Sequence, residues 1–403
     1  MKPSSLSAMR LIIMKVSTYD LNKIAEKLNL SIKDLNKAFK KKILREDEYK
    51  ETKTLLFKKE FRGIEKGTVI FLNDNLDIVR GYPKTYRAIT LYPTIKKHFI
   101  DKVVVEEKLN GYNIRIVKID GKVYALTRSG YICPFTTKKV KKFLNLEILD
   151  DYNKYMLCGE MIGLNNPYMP YYYKEVDRGY ENLGFYIFDI KERETNKSLP
   201  VKERINLCEK YNLPYVKPLT VVDKDEAHIH IRKIIEKLNK EGREGVVLKD
   251  PDMAVPPIKY TTHYTQCEDL KSAFTFFFDL GMDFLFSRVV REGFMSYEFK
   301  ETLEERKKRA KDLGEAILLP MVETINRVAN GERVSEDFEL IFDSEDDFDE
   351  FLDFMRKMKM VIKIKNIEKI NTNEGVKIKA LIGKIYNKTN DKIISYLNGT
   401  LWE

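Results

Sequence analysis

The chain is poor in the residues that build metal cages and covalent cross-links. It has four cysteines, Cys133, Cys158, Cys208 and Cys267, and four histidines among 403 residues. The cysteines are far apart and none belongs to a paired metal spacing, which argues against both a structural zinc site and a disulfide framework and fits a reducing compartment. His228 and His230 stand two apart in a segment that continues as an amphipathic helix to Lys240. That spacing turns the two rings in different directions, so they are expected to face solvent rather than a metal. No apolar run reaches the length of a bilayer span, and the start lacks a convincing signal-peptide core. The expectation is a cytoplasmic protein with no membrane partner. Internal repeats and low-complexity tracts are also missing, which leaves ordinary globular domains.

What is present is charge. Hydrophobic residues make up 43% and charged residues 33%, with a formal net charge of +10. A basic surface suits a polyanionic partner. A thermophilic source accounts for a lysine-rich composition equally well, so charge alone leaves function open. The length predicts several domains. Residues 1 to about 60 read as helices: Thr18 can cap a segment running to Leu28, and Ser31 with Asp34 resembles a capping box before Leu35 to Leu44. Met14 offers an alternative start. From Thr68 to about Lys259, short β-branched and aromatic runs alternate with turns and a few helices, which predicts an α+β core with a largely antiparallel sheet. Beyond Thr261 a dense apolar stretch, from Phe274 to Phe299, predicts either an internal core or a subunit contact. A long charged helix from Thr302 to about Val328 comes next. Ten acidic residues then fall between Glu336 and Asp353 with no lysine or arginine among them, a block that would repel a phosphate backbone. Val376, Ile378 and Leu381 predict a small sheet near the end.

The motif with most chemical content is EEKLNGYNIR, residues 106–115. Val103 to Glu107 reads as a strand. Asn113 to Ile119 and Lys122 to Thr127 read as two more, joined by a turn at Asp120-Gly121. Lys108 therefore sits between strands with a glycine three positions on. A lysine amine is charged and non-nucleophilic unless its surroundings favour the neutral form, so a catalytic lysine needs basic company, for which Arg115 and Arg128 are the candidates. The same four-residue pattern recurs at Lys311 and Gly314 in an ordinary charged helix, so the case rests on four segments farther along the chain. TRSG puts Arg128 at the end of a strand. CGEMIG puts Glu160 in an otherwise apolar strand, where a lone carboxylate needs a reason. GFYIFDI supplies Tyr186, Phe188 and Asp189, and EGVVLK with IKY supplies Glu244, Lys249 and Lys259.

In this order the segments resemble motifs I, Ia, III, IIIa, IV and V of the superfamily of ATP-dependent ligases and messenger-RNA capping enzymes. Within it the chain most resembles the archaeal homodimeric ATP-dependent RNA ligases that circularise single-stranded RNA. The likeness extends upstream to FRG (Phe61 to Gly63) and RGYPK (Arg80 to Lys84), and downstream to KYTTHYTQ and FFFDLGMDFLFSR. The resemblance implies an antiparallel-sheet nucleotidyltransferase core, ATP-grasp-like, with a helical N-terminal segment and mainly helical dimerisation and C-terminal domains. The corresponding divisions are 1–95, 96–262 (adenylation), 263–315 (dimerisation) and 316–403.

It also implies that Lys108 attacks the α-phosphate of ATP to form lysyl-AMP. Lys249 and Lys259 then hold that phosphate, Glu160 the ribose and Glu244 a divalent ion, Mg2+ or Mn2+. Phe188 stacks on adenine, backbone at Glu106 reads its amino group, and Arg62 and Lys84 orient pyrophosphate. The AMP passes to an RNA 5′-phosphate and a 3′-hydroxyl displaces it. Tyr131, Tyr168, Tyr171, Tyr172 and Tyr173 are candidates for stacking on single-stranded RNA. Two departures stand out: Asn110 replaces the usual aspartate before the motif I glycine, and motif V shows one lysine where many ligases show two. EGVKIK (Glu374 to Lys379) imitates motifs IV and V, but its alternation is that of a half-buried strand. A DNA ligase or capping enzyme on the same core, and a non-enzymatic RNA-binding protein, are the alternatives.

Overall fold

The computed structural model describes residues 21–278 and 280–401; Thr18 and Met14 lie outside them. Two short helices, α1 (Leu21–Lys27) and α2 (Ile32–Lys40), come first. Ser31 caps α2 as expected, its hydroxyl accepting the Asp34 N–H at 3.0 Å. The helical reading fails beyond Lys40. Leu44–Tyr49 (β1) and Thr52–Phe57 (β2) form an antiparallel hairpin instead, and β3 (Val69–Phe71) and β4 (Ile78–Val79) extend it to the order β1-β2-β3-β4. The charged run of β1 suits a helix, but β2 carries Leu55, Leu56 and Phe57, all buried. Pairing them into a sheet over Ile24 and Leu35 outweighs local preference.

The next strand, β5 (Tyr86–Arg87), precedes α3 (Tyr92–His98) and β6 (Lys102–Lys108). β7 (Gly111–Ile119) and β8 (Lys122–Thr127) form the hairpin expected from the Asp120-Gly121 turn. After α4 (Pro134–Phe143) and α5 (Ile148–Asp151) come β9 (Tyr155–Ile162) and β10 (Gly184–Glu192), giving a sheet of order β10-β9-β7-β8. The elements α6 (Val201–Lys210), β11 (Pro218–Asp223), α7 (Lys224–Lys240), β12 (Gly245–Lys249) and β13 (Ile258–Thr261) complete a five-stranded sheet, β11-β6-β12-β13-β5. It is antiparallel except for the parallel β13–β5 pair.

Three helices come next: α8 (His263–Phe276), α9 (Met282–Glu298) and α10 (Leu303–Ala329). Thr302 and Glu305 make a reciprocal capping box at the start of α10, where the sequence places it. The apolar stretch divides in two. Phe276 and Phe278 pack inside against Val328, Val334, Ile393 and Tyr386, whereas Met282, Phe286 and Tyr297 on α9 are 81%, 70% and 77% exposed.

The closing segment contains the small sheet expected around Val376, Ile378 and Leu381, together with helices. A three-stranded antiparallel sheet of order β14-β16-β15, from β14 (Ser335–Phe342), β15 (Ile362–Thr372) and β16 (Gly375–Ile385), packs with α11 (Glu345–Lys357), while Ile393 of α12 (Asn387–Leu397) packs with Val328 of α10 and Val334. Its inward register is Ile378, Ala380 and Ile382; Val376 is exposed. The acidic block has local partners. Glu345, Asp346 and Asp347 occupy the first turn of α11, where the helix dipole favours them, and Glu336, Asp337, Glu339 and Asp343 pair with Lys384, Lys365, Lys379 and Lys377.

By contacts the chain divides into two compact units, one of residues 21–84, 113–159 and 189–198, the other of 85–112, 160–188 and 199–401. Among the described residues no helix is long and apolar enough to cross a membrane.

Candidate active site

The five-stranded sheet lies wholly in the second unit, and its two faces have opposite characters. In register, Glu107 pairs with Val246, Val105 with Leu248, and Leu248 with Ile258. Val103, Val105, Val246, Leu248, Ile258 and Tyr260 turn to one side and bury against Ile95 of α3 and Ile231 and Ile235 of α7. Each fully buried aliphatic side chain there contributes roughly 1.5–3 kcal/mol, which fixes the register.

The intervening residues must face the other way. They are Glu106 and Lys108 on β6, Lys249 on β12, Lys259 and Thr261 on β13, and Arg87 on β5, aligned by the pairs Lys108–Gly245, Gly245–Thr261 and Lys259–Arg87. Four cationic side chains thus share one sheet face. The motif glycines are steric requirements: a Cβ on Gly111 would come within 2.2 Å of the Met161 carbonyl oxygen, and Gly245, at φ +145°, would place one 2.3 Å from that of Tyr260.

Lys108 and Lys249 are each paired with an acid. Lys108 Nζ donates to Glu244 Oε2 at 2.7 Å, with both side chains about one-fifth exposed or less. Glu244 is held by its backbone, whose carbonyl oxygen accepts the Thr262 N–H at 3.0 Å and the Thr265 hydroxyl at 2.9 Å. The KYTTHYTQ segment therefore positions the acid opposite Lys108. Deeper in the sheet, Lys249 Nζ donates to Glu106 Oε2 at 2.6 Å and to the Phe188 carbonyl oxygen at 2.5 Å. Arg204 reaches the same carboxylate and the same carbonyl. Glu106, Lys249 and Arg204 are all at most 2% exposed, so two buried cations share one carboxylate. The Phe188 ring lies 5.9 Å from Lys249 Nζ. Lys259 is half-buried on the same face, and Glu160 half-buried on β9.

The remaining sequence candidates belong to the first unit. Arg115 is fully buried and donates to the carbonyl oxygens of Arg80, Gly67 and Thr127 at 2.5, 2.9 and 3.0 Å. Burial pushes its guanidinium down to about 10, with Cys158 opposing and Arg128 reinforcing the shift. Its hydrogen bonds tie backbone segments together. Arg128 is exposed in the turn after β8, Lys84 is exposed, and Arg62, 60% exposed, pairs with Asp34 at 3.3 Å.

The tyrosines also divide. Tyr173 is 1% exposed and its hydroxyl accepts the Asn110 N–H at 2.7 Å, so it braces the motif I loop and presents no face for stacking. Tyr171 donates to the Gly242 carbonyl oxygen at 2.6 Å; Tyr172 is 53% exposed. Both decoys are structural. Lys311 is exposed on α10 beside Glu315, and Lys377 is buried between Asp343 and Glu374.

Sequence reasoning missed Arg204, Arg243, Arg87, Arg288 and Arg291. Arg204 carried a readable signal, because Val201, Arg204 and Cys208 lie on one helical stripe and its two neighbours there are apolar. Arg243, which lies over the Tyr173 ring at 4.6 Å and pairs with Glu175 and Glu107, carried none.

Among the described residues no three acids, histidines or cysteines converge to cage a metal ion. A hard cation that keeps its waters and takes oxygens from substrate phosphates needs only one or two carboxylates, and Glu244 beside Lys108 fits that requirement.

A basic sheet face with a lysine at a strand end, acid-paired and braced by a tight glycine, fits the nucleotidyltransferase core that the sequence resemblance implies. The RNA ligase family profile matches residues 101–261, and that described as "Ligase Pab1020 C-terminal region" matches 272–400. The solved structure "Archaeal ATP-dependent RNA ligase - form 2" is 40% identical over 95% of this chain and all of its own, with a TM-score of 0.89. "Putative ATP-dependent DNA ligase from Aquifex aeolicus" is 28% identical over 93% of this chain and all of its own, with a TM-score of 0.84. "Uncharacterized protein MJ0414" of Methanocaldococcus jannaschii is 93% identical over 98% of this chain and its own full length. The chain belongs to the archaeal ATP-dependent RNA ligase family.

Proposed function

We propose that this ligase joins a 5′-phosphate to a 3′-hydroxyl of single-stranded RNA in the cytoplasm, closing strands into circles, through lysyl-AMP on Lys108 and an RNA-adenylate. The observation that carries the reading is the Lys108–Glu244 pair at 2.7 Å, on the same sheet face as Lys249 and Lys259.

In the resting site Lys108 is paired with Glu244, and Lys249 shares Glu106 with Arg204. An ammonium is not a nucleophile, so Lys108 must give up a proton, to Glu244 or to water, as ATP binds and the Lys108–Glu244 contact opens. Lys108 then forms the N–P bond to the α-phosphate while the bond to the pyrophosphate oxygen breaks. Lys249 and Lys259 counter the charge on the α-phosphate oxygens. Because Glu106 answers two buried cations, the cluster keeps one positive charge to offer a phosphate. Mg2+ or Mn2+, held by Glu244 and the ATP phosphates, would supply charge neutralisation of the leaving group. Phe188 faces adenine and Glu160 the ribose. In the second transfer the RNA 5′-phosphate takes AMP from Lys108; in the third the 3′-hydroxyl attacks and AMP leaves. The exposed apolar face of α9 is the contact of a homodimer, and 1–95, 96–262, 263–315 and 316–403 act as its functional segments. Arg62 and Lys84 orient pyrophosphate, and Arg128 screens the phosphates.

The test is a reaction of ATP and magnesium with one 5′-phosphorylated oligonucleotide, as RNA, as DNA and as DNA ending in ribonucleotides, across a salt series. Circles should form best with a 3′-terminal ribonucleotide and decline as salt rises. Nick sealing in duplex DNA that exceeds every single-stranded reaction would replace this reading with a DNA ligase. Absence of any covalent AMP would leave an RNA-binding protein.

A further inference from the structure

The catalytic face carries a second concentration of positive charge besides Lys108, Lys249 and Lys259. At the β13–β5 edge, the Thr261 hydroxyl oxygen accepts from the Arg87 guanidinium and from Gln266 Nε2, the latter at 2.5 Å. Gln266 is 1% exposed, and its Oε1 accepts Arg291 Nη1 at 3.2 Å. One turn away on the same two helices, Arg288 pairs with Asp269 at 2.8 Å. Gln266 and Asp269 on α8 therefore hold Arg291 and Arg288 on α9 against Arg87 on the sheet.

The three guanidiniums are close enough to repel one another. Burial, then Arg87 and Arg288, push Arg291 down to about 10, and burial lowers Arg87 against the pull of Glu244 and Asp269. Arg291 Nε is buried and has no hydrogen-bond partner. Among the described residues Asp269 is the one acid ion-paired with this trio, an arrangement that is costly unless an anion completes it. Thr261 is in register with Gly245 and so with Lys108, two strands and therefore about 10 Å away.

We propose that Arg87, Arg288 and Arg291, joined through Thr261 and Gln266, form a phosphate-binding site on the catalytic face, in line with Lys108. Planar guanidiniums bind phosphate oxygens in paired hydrogen bonds, and three of them around a buried amide suit one phosphate group better than a diffuse backbone contact. The phosphate is either the 5′-terminal phosphate of the strand or the pyrophosphate released from ATP. The assignment rests on the ligase reading for its substrate, but not for the anion.

The full-length protein without ATP is titrated with a short 5′-phosphorylated oligoribonucleotide, its 5′-hydroxyl counterpart and inorganic pyrophosphate, by fluorescence anisotropy and calorimetry. Arg291→Gln should weaken binding of the phosphorylated strand by about tenfold and of the hydroxyl strand by less than about twofold, with partial recovery in Arg291→Lys. Lys311→Gln, which removes one exposed charge elsewhere, should change neither. Loss of the terminal-phosphate preference assigns the site to RNA; loss of pyrophosphate binding alone assigns it to the leaving group. Unchanged binding of all three probes in a variant that melts like the parent overturns the proposal. A chain that takes no AMP on Lys108 but loses pyrophosphate binding in Arg291→Gln would keep this site and remove the ligase reading. Normal self-adenylation with unchanged binding would do the reverse.

Discussion

Replacing Arg204 by Met tests whether the charge balance beneath the site matters. The wild-type cluster holds Lys249 and Arg204 around Glu106, all at most 2% exposed, so it carries one net positive charge. Breaking a buried pair by removing one partner costs about 3–5 kcal/mol. Glu106 and the Phe188 carbonyl both retain Lys249, so the lower end, about 3 kcal/mol, applies, or a melting point lowered by roughly 5–10 °C. The functional effect has a separate origin. In Arg204→Met the cluster becomes neutral and Glu106 answers Lys249 alone, which holds that amine away from phosphate. Labelling of Lys108 with α-labelled ATP should then lose about tenfold in kcat/KM, an electrostatic loss smaller than deleting a direct donor. Glu106→Gln makes the opposite error, leaving two buried cations without a counter-ion, and should be the less stable of the two. An Arg204→Met protein that melts and labels like wild type would refute the reasoning. So would a Glu106→Gln protein more stable than Arg204→Met.

Other outcomes come from the same geometry. Lys108→Ala should abolish AMP labelling, and Glu244→Ala and Lys249→Ala should each depress it by about a hundredfold or more, whereas Glu374→Ala should leave it intact; mass spectrometry locates the adduct. The imidazole of His263 contacts Glu292, Asp312 and Cys267; burial opposes its charge, but the hydrogen bonds to Cys267 and Glu292 prevail and raise it from its ordinary value to about 10. A raised folded-state value gives stability that is complete below about pH 6.5 and is lost as pH rises through 10. Melting curves from pH 6 to 10.5 should show that decline, and His263→Gln should flatten it. Phe286→Glu, on the exposed face of α9, should halve the mass seen by light scattering; a wild-type monomer at micromolar concentration would remove the dimer.

The sequence alone located the strands around Lys108, because β-branched runs bounded by a two-residue turn have few other solutions. It also put the start of the long charged helix α10 at Thr302. Motif order alone named Lys108, Glu244, Lys249 and Lys259 as a set, and register on one sheet face, with Val105 and Leu248 turned inward, gave that set a common surface. Other features were beyond local pattern. The β1–β2 hairpin forms because Leu55 and Phe57 find a core from α1 and α2, not because Leu44–Tyr49 prefers to be a strand. Arg115 reads in one dimension as company for Lys108 and is among the most buried side chains in three, since only packing reveals which carbonyls it must satisfy. The row of Arg87, Arg288 and Arg291 has the same origin. Arg87 is some two hundred residues from the other two in sequence, and a parallel strand pair and two helices converge to place them together.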